Sequence, residues 1–385
     1  MRSALWFISI LATLFLYTVF KAAQLWPAHR FLAAAISVPI FAIIVGWQFL
    51  YRSQPELVDA AWFEAFSWVG SVTMGIWATF IIISIPLDLI HLLVTGFQKV
   101  TQAAEHEPQK RAFLGEGFRL GVLGMSGVFA SIGLVQVLRG PKLKEVTVPI
   151  ANLPESLVGL KIAQISDLHV GSTIRKSYVE EMVRRVNATQ PDLIVVTGDL
   201  ADGKVASIAK HMQPLADFKS PNGVFYVTGN HEYYWGAEAL LSQTKTLGFQ
   251  ALLNENKILK IKGGKVLVAG VTDPAGGSFI RSHEPDAARA ALSSEEVDFR
   301  LLLAHRPDAC VEAESLGFDL QLSGHTHAGQ FFPFNVFMPL AHKYYRGLNQ
   351  HGKLWVYVNS GTGYWGPANR FAIGSEITLI QLARA

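Results

Sequence analysis

In the second half of this chain, one short apolar run after another stops on residues that bind hard or borderline metal ions. Leu160 to Ile165 leads into Ser-Asp167-Leu-His169, Asp192 to Thr197 stops at Gly198-Asp199, and Gly223 to Thr228 stops at Gly229-Asn230-His231-Glu232. Arg300 to Leu303 ends at Ala304-His305, and Leu320 to Ser323 at Gly324-His325-Thr326-His327. These runs read as buried strands, as do Lys144 to Pro149, Lys265 to Val271, Trp355 to Asn359 and Glu376 to Leu382. Between them, Arg175 to Thr189 reads as a helix with Tyr178, Met182, Val183 and Val186 on one face, and Ala206 to Phe218 as another. Strand, polar strand end, helix, strand is the order of an α/β domain whose site forms at the strand termini. Side chains at i and i+2 of an extended segment point the same way, so Asp167 and His169 leave their strand side by side. One such ending is an ordinary turn; five that converge make a site.

The donors are carboxylate, amide and imidazole. With a single cysteine, Cys310, the chain has no intrachain disulfide and no cysteine-based zinc site. Oxygen and imidazole donors suit Mn, Fe or Zn, and there are more of them than one ion needs, so two divalent ions are expected. A carboxylate can bridge such a pair through Asp199, and the pair would activate water for attack at phosphorus. A histidine beside the ions would donate a proton to the leaving oxygen.

These motifs resemble those of the calcineurin-like metallophosphoesterases, which carry the same signatures in the same order. The resemblance implies a metallophosphoesterase β-sandwich flanked by helices over residues 141–385. It also implies one ion on Asp167, His169, Asp199 and His327, a second on Asp199, Asn230, His305 and His325, and His231 as the catalytic residue over the scissile phosphate. Hydrophobic spans ahead of the domain are similar to those of membrane-attached bacterial phosphodiesterases, some of which cleave the pyrophosphate of UDP-2,3-diacylglucosamine. The expected activity is therefore hydrolysis of a phosphodiester or pyrophosphate, on a lipid-linked substrate; the alternative is a membrane sensor or scaffold that keeps the metal-binding fold without turnover.

The first 140 residues are of another kind. Half of the whole chain is hydrophobic, only 16% is charged and the mean hydropathy is +0.27, far from the quarter or so of charged residues in soluble domains. Uncharged runs predict about four transmembrane helices, near 4–20, 31–51, 66–97 and 119–138. Trp6, Trp26, Trp47, Tyr51, Trp62 and Trp68 lie near the ends of these runs, as interfacial aromatics do. Glycines at 115, 117, 121, 124, 127 and 133 predict a small-residue packing face, and Asp88 and His91 share a helix face near the end of the third run. Membrane lipids are thus expected partners and the chain a multi-pass cell-membrane protein. The basic residues Arg139, Lys142 and Lys144 favour a cytoplasmic catalytic part. A net charge of only +3 gives no support to a nucleic-acid partner.

Three features bear on substrate. Phe331 to Leu340 is too apolar for an ordinary loop, and is expected either to meet acyl chains or bilayer or to pack on the protein itself. Tyr233-Tyr234-Trp235 offers rings for stacking on a base or sugar. Arg346 and Arg370 are candidate phosphate clamps.

Overall fold

The computed structural model describes residues 2–25, 29–100 and 108–385. Four long helices come first: α1 (Arg2–Leu25), α2 (Arg30–Ser53), α3 (Ala61–Val100) and α4 (Pro108–Arg139). Among the described residues three helical stretches are long and apolar enough to cross a bilayer: Arg30–Ser53, Ala61–Phe97 and Leu120–Arg139. The first predicted span falls on α1, much of whose N-terminal half, with Trp6 and also Trp26 beyond its end, lies outside the described side chains. Leu120, Leu123, Met125, Val128, Ile132 and Val135 are exposed on α4, the aspect expected of a helix that faces lipid.

The expected glycine face does not form. At Gly117, Gly121, Gly124 and Gly127 an added Cβ would meet nothing within 4 Å; only Gly133 is packed. Gly115 lies outside the described side chains. The buried side of α4 is instead Val122, Ser126, Ala130, Gly133 and Val137, at helical spacing. Asp88 is not a solitary interfacial carboxylate either. It takes the Lys21 ammonium and the Tyr17 hydroxyl of α1, each at 2.7 Å, while His91 stays exposed.

After Arg139 the chain turns into strands within three residues. β1 (Lys142–Ile150), β2 (Lys161–Ile165), α5 (Lys176–Ala188), β3 (Leu193–Thr197), α6 (Val205–Met212), β4 (Val224–Val227), α7 (Asn230–Trp235), α8 (Ala237–Thr246) and β5 (Phe249–Ala251) build the first layer. There follow β6 (Glu255–Ile261), β7 (Gly264–Gly270), α9 (Gly276–Phe279), α10 (Ala287–Ala291), β8 (Phe299–Leu303), α11 (Cys310–Ser315), β9 (Leu320–Ser323), α12 (Met338–Ala341), β10 (Gly347–His351), β11 (Leu354–Val358) and β12 (Glu376–Arg384). The strands form two six-stranded sheets, ordered β1-β12-β2-β3-β4-β5 and β10-β11-β9-β8-β7-β6. Between them lies one core in which Ile162, Val195 and Phe225 of the first sheet meet Val268, Leu301 and Leu322 of the second. The outer face of the first sheet packs on α5, α6 and α8 through Val183, Ile208 and Leu240; that of the second packs on α10 and α11 through Ala290 and Ala313. This is a two-sheet α/β sandwich with helices outside, the arrangement that the resemblance implied.

Strands β2, β3 and β4 are parallel neighbours, as are β8 and β9. Their carboxyl ends therefore open on one edge of the sandwich. At that edge the helices dock: the Ser71 hydroxyl of α3 donates to Gly366 O at 2.7 Å, Asn369 Nδ2 to Thr79 Oγ1 at 3.0 Å, and Arg370 N to Gly133 O at 3.3 Å.

Candidate metal centre

The turns after the strands are unusual in their backbone. Asp167, His169, Asp199, His325 and His327 all have φ between 49° and 69°, a region that L residues occupy at a cost and that concentrates at functional sites. Close approach sets the glycines among them. A Cβ at Gly229 would fall 2.2 Å from Asp199 Oδ1, and one at Gly324 would fall 2.2 Å from Asp167 Oδ2. The turns are packed against the carboxylates they present, and Asp167, Asp199 and His305 are buried to 3% exposure or less.

Six of the seven predicted ligands come together at this edge, and Asn230 stands in the turn just before His231. Ring nitrogens and carboxylate oxygens of Asp167, His169 and His327 lie within 4.8 Å of one another, as do those of Asp199, His305 and His325, and of His169, Asp199 and His231. His169 Nε2 is 3.1 Å from His327 Nε2, and His327 Nε2 is 3.4 Å from Asp167 Oδ1. His305 Nε2 is 3.3 Å from Asp199 Oδ2 and 3.2 Å from His325 Nδ1. The Thr197 carbonyl, 2.8 Å from His305 Nδ1, can only accept, so that nitrogen carries the proton and a neutral His305 turns the Nε2 lone pair toward Asp199. Asn230 Oδ1, buried and without a hydrogen-bond partner, sits between two residues that touch Asp199. Imidazole nitrogens, carboxylate oxygens and a buried amide oxygen gathered this closely make a donor set that fits divalent ions.

Charge balance agrees. Burial lowers His169 to about 4 and His325 to about 3, and drives His327 well down, keeping three imidazoles neutral. Burial opposes charge on His305 and His231 too. There the Asp199 carboxylate, with Asp167 helping at His305 and Asp202 at His231, overcomes it, raising them to about 10 and about 9. The field that protonates those rings would equally draw in a metal ion.

His231, beside His169 and Asp199, is held by a further set of residues. Its Nδ1 is 3.0 Å from Asp202 Oδ1 and its Nε2 is 4.0 Å from Asp199 Oδ2. Trp235 Nε1 donates to the same Asp202 oxygen, and the Tyr51 hydroxyl at the end of α2 donates to the Asp202 carbonyl. The Glu232 carboxylate accepts from Asp199 N, Leu200 N and Gly229 N at 3.1, 2.7 and 2.6 Å, tying two turns together. Asp202 and Trp365, whose ring meets that of His231 edge-on at 5.5 Å, have no sequence motif of their own. The only hint was a second aspartate inside Gly198-Asp-Leu-Ala-Asp-Gly203.

The three aromatics after His231 divide their work. Tyr234 is half exposed with its ring 5.4 Å from that of His231, while Tyr233 and Trp235 are spent on Thr228 and Asp202. Arg370 is not a phosphate clamp: it is fully buried, and its guanidinium donates to the carbonyls of Ser360, Gly361, Gly363 and His327. Arg346 lies over the Tyr345 ring, 5.5 Å from its centroid.

A family model described as calcineurin-like phosphoesterase matches residues 160–329. The chain is 38% identical to an uncharacterized metallophosphoesterase of Helicobacter pylori over 74% of this chain and 76% of that one. It is 36% identical to one from Campylobacter jejuni over 68% of each. A zebrafish (Danio rerio) transmembrane protein with metallophosphoesterase domain is also 36% identical, over 70% of this chain and 64% of its own.

Proposed function

The chain belongs to the calcineurin-like metallophosphoesterase family, hydrolases of phosphoric esters, and from that premise we propose that it is a membrane-associated phosphodiesterase or pyrophosphatase acting on a lipid-linked substrate. Apolar helices and transmembrane relatives support the membrane link. In this reading residues 1–140 are a multi-pass membrane region and residues 141–385 the catalytic domain. Arg139 at the end of α4, with Lys142 and Lys144 beyond it, supports a cytoplasmic face for that domain. UDP-2,3-diacylglucosamine is the specific substrate to try first.

Asp167, His169, Asp199 and His327 would hold one divalent ion and Asp199, Asn230, His305 and His325 another, with Mn, Zn or Fe the candidates. Bound there, such ions supply an activated water and neutralise charge at phosphorus. The protein's own part is orientation and proton delivery. Asp202 accepts from His231 Nδ1 and so fixes the ring with Nε2 toward the cluster. With Nδ1 bonded to Asp202, a protonated ring can give its Nε2 proton to the leaving oxygen. Tyr234 and Trp365, each half exposed, flank the ring and limit the direction of approach.

The observation that carries this reading is the meeting of carboxylates and imidazoles from five strand ends, their possible ligand atoms in groups within 4.8 Å. The test is hydrolysis of bis-p-nitrophenyl phosphate and UDP-2,3-diacylglucosamine by the full chain with added Mn or Zn. Turnover should fall by about 10²–10⁴-fold in His231→Ala, the range for loss of a general acid, and vanish in Asp199→Asn. Folded, metal-loaded protein that turns over neither substrate would refute it.

A further inference from the structure

We propose that the segment Phe334–Ala341 lies in the bilayer beside the end of α4 and forms a lipid-inserted lip, so that the metal centre takes its substrate sideways from the acyl region of the membrane. The delivery part of this inference rests on the phosphoesterase reading above; the insertion part does not.

The segment follows the last metal-ligand turn. It forms a short 3-10 turn, Phe334–Phe337, and then α12. Met338 points inward and is buried, whereas Phe334, Val336, Phe337 and Leu340 are 45%, 57%, 42% and 87% exposed. Packing on the protein accounts for Phe331, Phe332 and Met338 of the apolar run, and leaves these four side chains without a covering. So concentrated an apolar surface marks a site of interaction with something outside the chain.

What covers it is indicated by its neighbour. Phe332 meets the ring of Phe129 edge-on at 5.8 Å, and Phe129 stacks on Phe371 at 4.4 Å. Phe129 belongs to the candidate span Leu120–Arg139, ten residues before its end, or about 15 Å along the axis. Phe332, two residues before the segment, thus brings it against the flank of a candidate span. The exposed Met125, Val128 and Ile132 of α4 continue its apolar surface. Directly after α12 come His342, Lys343, Tyr344, Tyr345 and Arg346, the mixture of basic and tyrosine side chains that settles at a membrane–water boundary.

The lip is also bound tightly to the chemistry. Gly329, two residues past His327, has φ +77° and lies so close under the lip that a Cβ would come 2.5 Å from Asn335 Cα. Gln330 grips Trp365 through the Trp365 N–H and carbonyl, at 2.9 Å each. Trp365 in turn flanks His231. Lip, metal-ligand turn and the aromatic wall of the catalytic histidine thus move as one unit.

The test uses the full chain with Cys310→Ser, the native cysteine being buried, and Leu340→Cys carrying an environment-sensitive fluorophore. The protein is placed in vesicles of phosphatidylethanolamine and phosphatidylglycerol, with or without bromine on the acyl chains. The label at 340 should be quenched by brominated lipid and sheltered from aqueous iodide. The reverse is expected for Leu292→Cys, which is 72% exposed on the loop leading into the opposite, amino end of β8. Free access of iodide to position 340 would overturn the proposal, and so would protection from both quenchers, which would mean a covering protein surface such as a second copy. In Phe337→Ser/Leu340→Ser, the ratio of turnover on a vesicle-borne lipid phosphodiester to turnover on bis-p-nitrophenyl phosphate should fall by about tenfold; an unchanged ratio would refute lateral delivery. Wild-type protein without turnover on either would sink the phosphoesterase reading while leaving the quenching result to decide insertion.

Discussion

Tyr51 links the helices to the turn that holds His231. Its ring packs 5.3 Å from that of Trp235, and its hydroxyl enters a space kept open by glycine: a Cβ on Gly203 would lie 2.1 Å from that oxygen and one on Gly171 would lie 3.1 Å away. The hydroxyl donates to Asp202 O, and Asp202 holds His231. Tyr51→Phe removes that bond and leaves the ring, so it should cost about 0.5–1.5 kcal/mol of stability and lower kcat more than it raises KM. Gly203→Ala should cost about 1–3 kcal/mol through overlap with the hydroxyl. The same change made in Tyr51→Phe should cost clearly less, because the atom in the way has gone, leaving the ring carbon 3.1 Å from the new methyl. Thermal unfolding of the two single variants and the double variant measures this coupling, and strict additivity would show that the two residues do not share the space.

At the scale of elements, the loop between β11 and β12 joins the metal centre to the helices. Arg370 gathers the Ser360, Gly361, Gly363 and His327 carbonyls from inside, while Ala368 N and Asn369 reach α3 at Ser71 O and Thr79. On α4 the matching point is Gly133, where a Cβ would fall 1.7 Å from Asn369 Oδ1; at Gly124 on the same helix it would meet nothing. Gly133→Val should therefore lower the unfolding temperature and the turnover together, at a cost of about 1–3 kcal/mol, whereas Gly124→Val should leave both near wild type. Equal effects would mean that the loop does not dock on α4. This interface was hidden in the sequence, where six glycines in and before the fourth apolar run look alike and only the partner loop tells Gly133 from the others. The turns that carry the candidate ligands were readable because each stands at the end of a buried run, where hydrophobicity and a polar stop coincide. Strands β6 and β10 lacked that contrast. Glu255–Ile261 and Gly347–His351 are half-exposed edge strands rich in polar residues, and their pairing with β7 and β11 depends on partners distant from any local pattern. Asp202 and Trp365 escaped for a similar reason, since each acts on His231 through space.

For the molecule as a whole, the question is whether residues 141–385 can work alone. Their core argues that they fold, because both sheets and their covering helices are internal to that stretch. Their catalytic edge argues otherwise. Cutting at residue 140 removes Tyr51 from Asp202, the Val58 carbonyl and Glu64 from Arg175, Ser71 from Gly366, Thr79 from Asn369 and Phe129 from the Phe371 ring. Those losses fall on the turns after β2, β3 and β11, which carry or brace Asp167, His169, Asp199 and His327, and the positive-φ backbones of these four and of His325 depend on the packing around them. Buried groups that lose their partners cost about 1–3 kcal/mol each unless water replaces them, and the exposed Phe332 and Phe371 would add an apolar surface. The expected outcome is a soluble fragment that keeps the circular-dichroism spectrum of a folded sandwich, binds divalent metal more weakly than the full chain and self-associates in size-exclusion chromatography. Titration with Mn followed by calorimetry would measure the weakening directly. A monomeric fragment with full-length metal affinity and full-length kcat on bis-p-nitrophenyl phosphate would show that the helices hold the enzyme at its membrane and contribute nothing to the shape of its site.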